Sequence, residues 1–217
     1  MPSHGCAKLA GSRATWRGPE REGEGVEMGW LVCDYGEVLS RRPTKDDEAK
    51  VAEMCGLDLA ELQRRYWVRR IDYDRGDIDA RTFWEDVAGA SLDDDRLEAC
   101  VAADAEGWMR LDERTTAAVE RAAERGWRLA LLSNAPVEIS RRLDALAWLG
   151  RFELRIFSCD LRLTKPDPAI YVKMLDLLDA EAGEVVFVDD RAANVAAARE
   201  LGIRSLLFTG PEVFDVV

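Results

Sequence analysis

Histidine is nearly absent from this chain: among 217 residues the only imidazole belongs to His4. Histidine-based catalytic triads and thiolate–imidazole zinc sites are therefore excluded from the body of the chain. Cysteine is sparse as well. The five present (Cys6, Cys33, Cys55, Cys100 and Cys159) are odd in number, widely spaced and form no C-x-x-C pair, so reduced thiols in a cytoplasmic protein are the expectation. No apolar run approaches the roughly 20 residues that a membrane span needs, and none at the start reads as a secretory signal. A basic excess is missing too. Lys and Arg number 30 against 42 Asp and Glu, giving a formal net charge of −12 and a pI near 4.7. Neither nucleic acid nor a membrane is an expected partner. An anionic ligand would have to be captured by local donors or a metal, because the global field repels it. No internal repeat is visible.

What is present suits a globular protein: 47% hydrophobic and 33% charged residues, enough for one core or for a core domain with a smaller insert. Residues 1–27 differ from the rest. They are rich in Gly, Arg and Glu, carry four basic and four acidic side chains and show no periodicity; they read as a disordered tail. Met28 stands just before the first strand and is a second candidate start.

Five short apolar, β-branched or aromatic runs read as buried strands: 30–35, 127–133, 154–159, 184–189 and 203–208. Segments of helical period lie between the last four or flank them, at 112–125, 136–148, 167–180 and 191–201, with Pro136 and Pro168 near first turns. Gly126 and Gly202 sit where helices end. Strands alternating with helices predict an α/β, doubly wound (Rossmann-like) parallel sheet, which binds ligands beyond the carboxyl ends of its strands. The first strand breaks the rhythm. From residue 40 to residue 110 there is no strand signal, and helices are expected at 44–55, 58–70, 79–89 and 93–106. The expected organisation is thus a core of 28–39 and 111–217 with a helical cap, 40–110, inserted over the sheet's carboxyl end.

Polar clusters fall at those strand ends. Asp34 closes strand one and precedes Gly36; Ser133 and Asn134 close strand two; Lys165 follows strand three in Leu163-Thr164-Lys165-Pro166-Asp167-Pro168. Asp189 and Asp190 close strand four, with Asn194 in the next helix. Singly each is weak, since Asp, Ser and Asn at such places commonly form turns or cap helices. Their recurrence at one end of successive strands is the informative feature. Two adjacent carboxylates repel and raise each other's pKa unless a cation neutralises them, and for an all-oxygen site Mg²⁺ is the first candidate. Together the clusters compose a phosphoryl-transfer site. Asp34 is the nucleophile, forming an aspartyl-phosphate; Ser133, Asn134 and Lys165 hold the phosphoryl oxygens. Mg²⁺ is held by Asp34, Asp190 and, as a further candidate, Asp189.

In order, these four clusters resemble the four motifs of the haloacid dehalogenase superfamily, in the branch with a helical cap. The match spans roughly residues 29–210. Its most telling pieces are Ser133-Asn134, Lys165-Pro166-Asp167-Pro168-Ala169-Ile170-Tyr171 and Val188-Asp189-Asp190-Arg191-Ala192-Ala193-Asn194; Asp74-Arg75-Gly76-Asp77-Ile78 with Phe83 and Trp84 resembles the cap. The resemblance implies a Mg²⁺-dependent phosphomonoester hydrolase for a small phosphorylated metabolite. It also implies metal ligation by the Gly36 carbonyl, and it places Tyr35 and Gly36 beside the phosphate. Most phosphatases of the superfamily carry an acid–base Asp where this chain has Gly36. Three readings stay open. The first is a phosphatase for a good leaving group such as a sugar 1-phosphate, as in similar glucose-1-phosphatases with Gly here, Glu37 or water supplying the proton. The second is a binding member without turnover. The third is a metal-independent dehalogenase, disfavoured because Tyr35 directly follows Asp34. Monomer and homodimer are both compatible with the sequence.

Substrate choice should come from the cap, where Tyr66, Trp67, Arg69, Arg70, Asp72 and Tyr73 are candidates to face the opening. Packing inside the cap is the favoured reading for Tyr66 and Trp67, and solvated helix charge for Arg69 and Arg70. Trp108 and Trp148 read as core or interface residues. The crossings near Ser40 and Arg110 are the expected hinges.

Overall fold

Apolar runs without polar alternation suit strands buried on both faces, and all five such runs pair in one parallel sheet. In a computed structural model, which describes residues 29–217, the strands are β1 (Trp30–Cys33), β2 (Arg128–Ser133), β3 (Leu154–Phe157), β4 (Val185–Asp189) and β5 (Arg204–Leu207). Their order is β3-β2-β1-β4-β5. The chain winds outward from β1 through β2 to β3, then returns to the other side of β1 for β4 and β5. The carboxyl end of β1 therefore lies where the winding direction reverses, the place an open α/β sheet offers a crevice. The tail expected at residues 1–27 lies outside the described residues.

Strand periodicity divides the core. Leu31 and Cys33 face one layer with Leu131, Ile139 and Leu143, whereas Trp30 and Val32 face another with Ile170, Met174 and Phe187. The insert that follows β1 holds five helices: α1 (Lys45–Cys55), α2 (Leu59–Tyr66), α3 (Arg70–Arg75), α4 (Ala80–Ala88) and α5 (Asp94–Trp108). They bury a separate cluster around Tyr66, Tyr73, Phe83 and Trp84. The remaining helices are α6 (Glu113–Glu124), α7 (Val137–Asp144), α8 (Ser158–Leu161), α9 (Pro168–Leu178) and α10 (Ala192–Glu200). Much of the acid excess is used at helix starts. Thr44 and Asp47 form a capping box, and Asp58, Asp79, Asp93 and Asp112 each accept a backbone N–H from the following turn, an arrangement that also suits the positive helix end.

The insert is fastened at two places. Its entry and exit pair in an antiparallel bridge between Ser40 and Leu111. At its far side, α3 ends on Gly76, whose φ of 77° is one that side chains rarely adopt. This turn sets the backbone of Gly76 against Cys159 of α8. Three expected boundaries need correction. The helix expected at 58–70 is two, because the chain turns through residues 67–69 before α3 begins. Strand three stops at Phe157, where Ser158 hydrogen-bonds to Ala135 and to the Asp74 carbonyl and opens α8. The helix expected at 136–148 ends at Asp144, followed by a 3-10 turn, Ala147–Arg151. Among the described residues no helix is long and apolar enough to cross a membrane.

Candidate active site

The Asp34 N–H donates to the Val188 carbonyl at 2.9 Å, extending the β1–β4 ladder by one residue and lining Asp34 up with Asp189. The chain then leaves the sheet abruptly through Tyr35, Gly36 and Glu37, the last at φ 58°. Asp34 is buried. Its Oδ1 accepts from the Tyr35 N–H at 2.7 Å and lies 2.8 Å from Lys165 Nζ, whereas no hydrogen bond to Oδ2 occurs among the described residues.

Lys165 is the hub. Its ammonium, almost fully buried, reaches Asp34 Oδ1 at 2.8 Å, Asp189 Oδ2 at 2.7 Å and the Leu132 carbonyl at 2.8 Å. Burial alone would depress its pKa, but the carboxylates of Asp34 and Asp189 outweigh burial and hold it above the usual lysine value. Asn134 locks the loop that delivers it, donating to the Lys165 carbonyl and accepting from the Lys165 N–H, both at 2.9 Å. That loop carries a cis Lys165–Pro166 peptide bond.

The paired aspartates divide their roles. Asp189 is fully buried, and its oxygens accept from Lys165 Nζ, from Asn194 Nδ2 at 2.8 Å and from the Arg191 N–H at 2.8 Å. Asp190 is only partly buried and borders a cavity of about 210 Å³. Burial, then the neighbouring Asp189 charge, pushes Asp190 above the usual carboxylate range. Burial, partly offset by Lys165 and reinforced by Asp189, pushes Asp34 up to about 7. Oxygens of Asp34, Asp189 and Asp190 lie within 4.8 Å of one another. Three carboxylates against one ammonium leave negative charge in a low-dielectric place, and all the donors are oxygen. Both features fit a hard divalent cation. Asp34 and Asp190 have oxygen left for one, while both Asp189 oxygens already accept hydrogen bonds.

Core and insert share the cavity wall. Asp34, Ser133, Lys165 and Asp190 come from the sheet end, and Trp67, Arg70, Asp74 and Trp108 from the insert. Every expected core residue is thus gathered at one place. Ser133, 3% exposed, makes no side-chain hydrogen bond among the described residues and borders the cavity. Tyr35 borders it too, but its hydroxyl is spent on the Trp108 carbonyl at 2.8 Å. A Cβ on Gly36 would lie 3.4 Å from the Trp108 ring, so the indole covers the space a longer side chain there would enter.

Two expectations about the insert change. Tyr66 does pack inside it, donating to Asp104 Oδ1 at 2.7 Å, but Trp67 is 49% exposed and borders the cavity. Arg70 is no solvated charge: it is buried, with Nε 2.7 Å from Asp74 Oδ1 and Nη1 3.3 Å from Asp104 Oδ2. The i,i+4 spacing of Arg70 and Asp74 was the one local signal for this pair. Asp104 is remote in sequence and gave none. Arg69 does sit at the surface, paired with Asp86 and Asp72.

This arrangement agrees with the comparisons. A family model described as haloacid dehalogenase-like hydrolase matches residues 18–202. The chain belongs to that family. It is similar to the flavin mononucleotide hydrolase 1 of Arabidopsis thaliana, 27% identical over 183 residues covering 82% of this chain and 71% of that protein. It also resembles the bifunctional epoxide hydrolase 2 of Rattus norvegicus, 34% identical over 89 residues, or 39% of this chain and only 16% of that protein's length. A solved haloacid dehalogenase family enzyme of Bacteroides thetaiotaomicron, in complex with magnesium and inorganic phosphate, shares the fold. Its TM-score is 0.69 at 18% identity, covering 83% of this chain and 93% of that one.

Proposed function

We propose that the protein is a Mg²⁺-dependent phosphomonoester hydrolase working through an aspartyl-phosphate at Asp34. The observation that carries this reading is the state of the Asp34 carboxylate. One oxygen is pinned by Lys165 and the Tyr35 N–H, and the other is free at the floor of a cavity beside an all-oxygen cation site. A carboxylate held in one orientation and stripped of water is a competent nucleophile toward phosphorus. Its free oxygen attacks, the ester oxygen departs with its electron pair, and water then attacks the phosphorus to release phosphate and restore Asp34. The Ser133 hydroxyl is placed to donate to a phosphoryl oxygen. Asp34 and Asp190, with the Gly36 carbonyl, would hold the metal, and Asp189 acts chiefly by fixing Lys165. The bound ion would neutralise phosphoryl charge. Similarity to a flavin mononucleotide hydrolase supports phosphate-ester chemistry without fixing the substrate.

Gly36 brings no acid–base group, a role worth about 10²–10⁴-fold where present. Glu37, next on the same turn and also bordering the cavity, is the nearest carboxylate in sequence that can protonate a departing oxygen. Esters with good leaving groups should therefore be the better substrates. The Trp108 ring over Gly36 favours a second reading, in which the site binds a phosphorylated ligand without turnover. Phosphate release from p-nitrophenyl phosphate and a panel of sugar phosphates, with Mg²⁺ and with chelator, separates the two. Turnover needing Mg²⁺ and vanishing in Asp34→Asn supports the hydrolase; no release above the variant from folded protein supports the binder.

A further inference from the structure

Beyond the phosphate pole, the insert supplies a charged assembly that the chemistry at Asp34 does not use. Arg70 is 6% exposed and Asp74 7%, yet both border the cavity. The guanidinium is immobilised on several sides. Asp74 and Asp104 bind two of its nitrogens, and its carbon stands 5.0 Å from the Tyr66 ring centre and 5.9 Å from that of Tyr73. One donor and one acceptor remain. Neither Arg70 Nη2 nor Asp74 Oδ2 has a hydrogen-bond partner among the described residues. Buried ion pairs contribute little net stability compared with apolar packing, so packing of the insert does not by itself explain this cluster. A half-used donor and acceptor at a cavity wall are what recognition of a ligand requires.

Resting on the phosphomonoesterase reading, we propose that Arg70 and Asp74 form a recognition pair that selects phosphomonoesters whose organic part is an uncharged polyol over those carrying a second anionic group. Charge decides between the two classes. Within the buried cluster one guanidinium faces two carboxylates, Asp74 and Asp104. Arg191 near Asp74 and Arg142 near Asp104 offset this local negative excess only from exposed, solvent-screened positions. An incoming carboxylate would meet that excess or displace one of the anions already on Arg70, and like charges brought together without water discriminate strongly. Hydroxyl groups suit the pair instead, one donating to Asp74 and its neighbour accepting from Arg70. The indoles of Trp67 and Trp108 add flat apolar wall for the C–H faces of such a molecule. Apart from Lys165 at the phosphate pole, Arg191 is the remaining cation of this wall. It is exposed, so solvent and salt screen its pull on a second anion.

The test compares kcat/KM for ribose 5-phosphate and glycerol 3-phosphate with that for 2-phosphoglycolate. The polyol esters are expected to lead by about tenfold or more, and Asp74→Asn, which removes an acceptor and a negative charge, to narrow that ratio by about tenfold. Arg70→Lys, which keeps the charge but loses the fork, should narrow it too if the asparagine variant folds poorly. Preference for phosphoglycolate in the wild type overturns the proposal, and so does a preference abolished by Arg191→Gln. Failure of the hydrolase reading shows separately, as no turnover of any ester. Calorimetric titration of the wild-type protein in Mg²⁺ with the same three compounds then still decides selectivity. Tighter binding of the polyol esters by about tenfold supports the pair; equal, reversed or absent binding refutes it.

Discussion

At the scale of single residues, Asp34 carries both the proposed chemistry and a cost to the fold. Burial pushes its pKa up to about 7 when no metal is bound, whereas an unfolded aspartate ionises near 3.9. Between those values the folded state holds more protons than the unfolded state, so stability falls as pH rises. In chelator, this group alone should lower the unfolding free energy by about 1–4 kcal/mol between pH 4 and 7. Asp34→Asn, neutral and nearly the same shape, should flatten that slope and stabilise the metal-free protein at pH 8. Urea titrations across pH with both proteins check this, and parallel curves would contradict it. The paired aspartates could be placed from sequence but not told apart. Which of them is enclosed depends on Lys165, Asn194 and the Arg191 N–H meeting Asp189, and no local pattern encodes that meeting.

At the scale of elements, the insert has its own core, with Phe83 1% and Trp84 0% exposed. Phe83→Ala should cost about 3–5 kcal/mol, and the loss should concentrate in α1–α5. Amide hydrogen exchange is expected to quicken there while β1–β5 keep their protection; equal quickening in the sheet would show one cooperative unit. The strands were legible because buried parallel strands read as unbroken apolar runs, and the site because its groups recur at their carboxyl ends. What escaped the sequence depends on distant contacts. α3 begins without a side-chain cap at Arg69, so nothing local separates it from α2. Strand three is ended by Ser158, whose partners lie at Asp74 and Ala135. Arg70 reads as a surface charge until Asp104, 34 positions away, is placed beside it.

At the scale of the whole molecule, the insert forms one wall of the cavity, and on the proposed function it should close over substrate and lift to release phosphate. The seam lies where Tyr73 donates to Glu138 Oε2 at 2.8 Å and Arg162 to the Gly76 carbonyl at 2.9 Å, opposite the Ser40–Leu111 bridge. A Cβ on Gly76 would stand 3.7 Å from that of Cys159, within the range a disulfide spans. Oxidised Gly76→Cys protein, linked to the native Cys159, should lose turnover by about tenfold or more and regain it on reduction. Full turnover in the linked form would show that the insert need not move.

The proposed chemistry is covalent: phosphorus passes through Asp34. Mixing the protein with Mg²⁺ and p-nitrophenyl phosphate, quenching in acid within milliseconds and mapping peptides by mass spectrometry would reveal the intermediate. The prediction is one phosphoryl group on the peptide carrying Asp34, formed before steady state and absent from Asp34→Asn. Phosphate released by wild-type protein with no such adduct at any time, or undiminished in the variant, would contradict the mechanism.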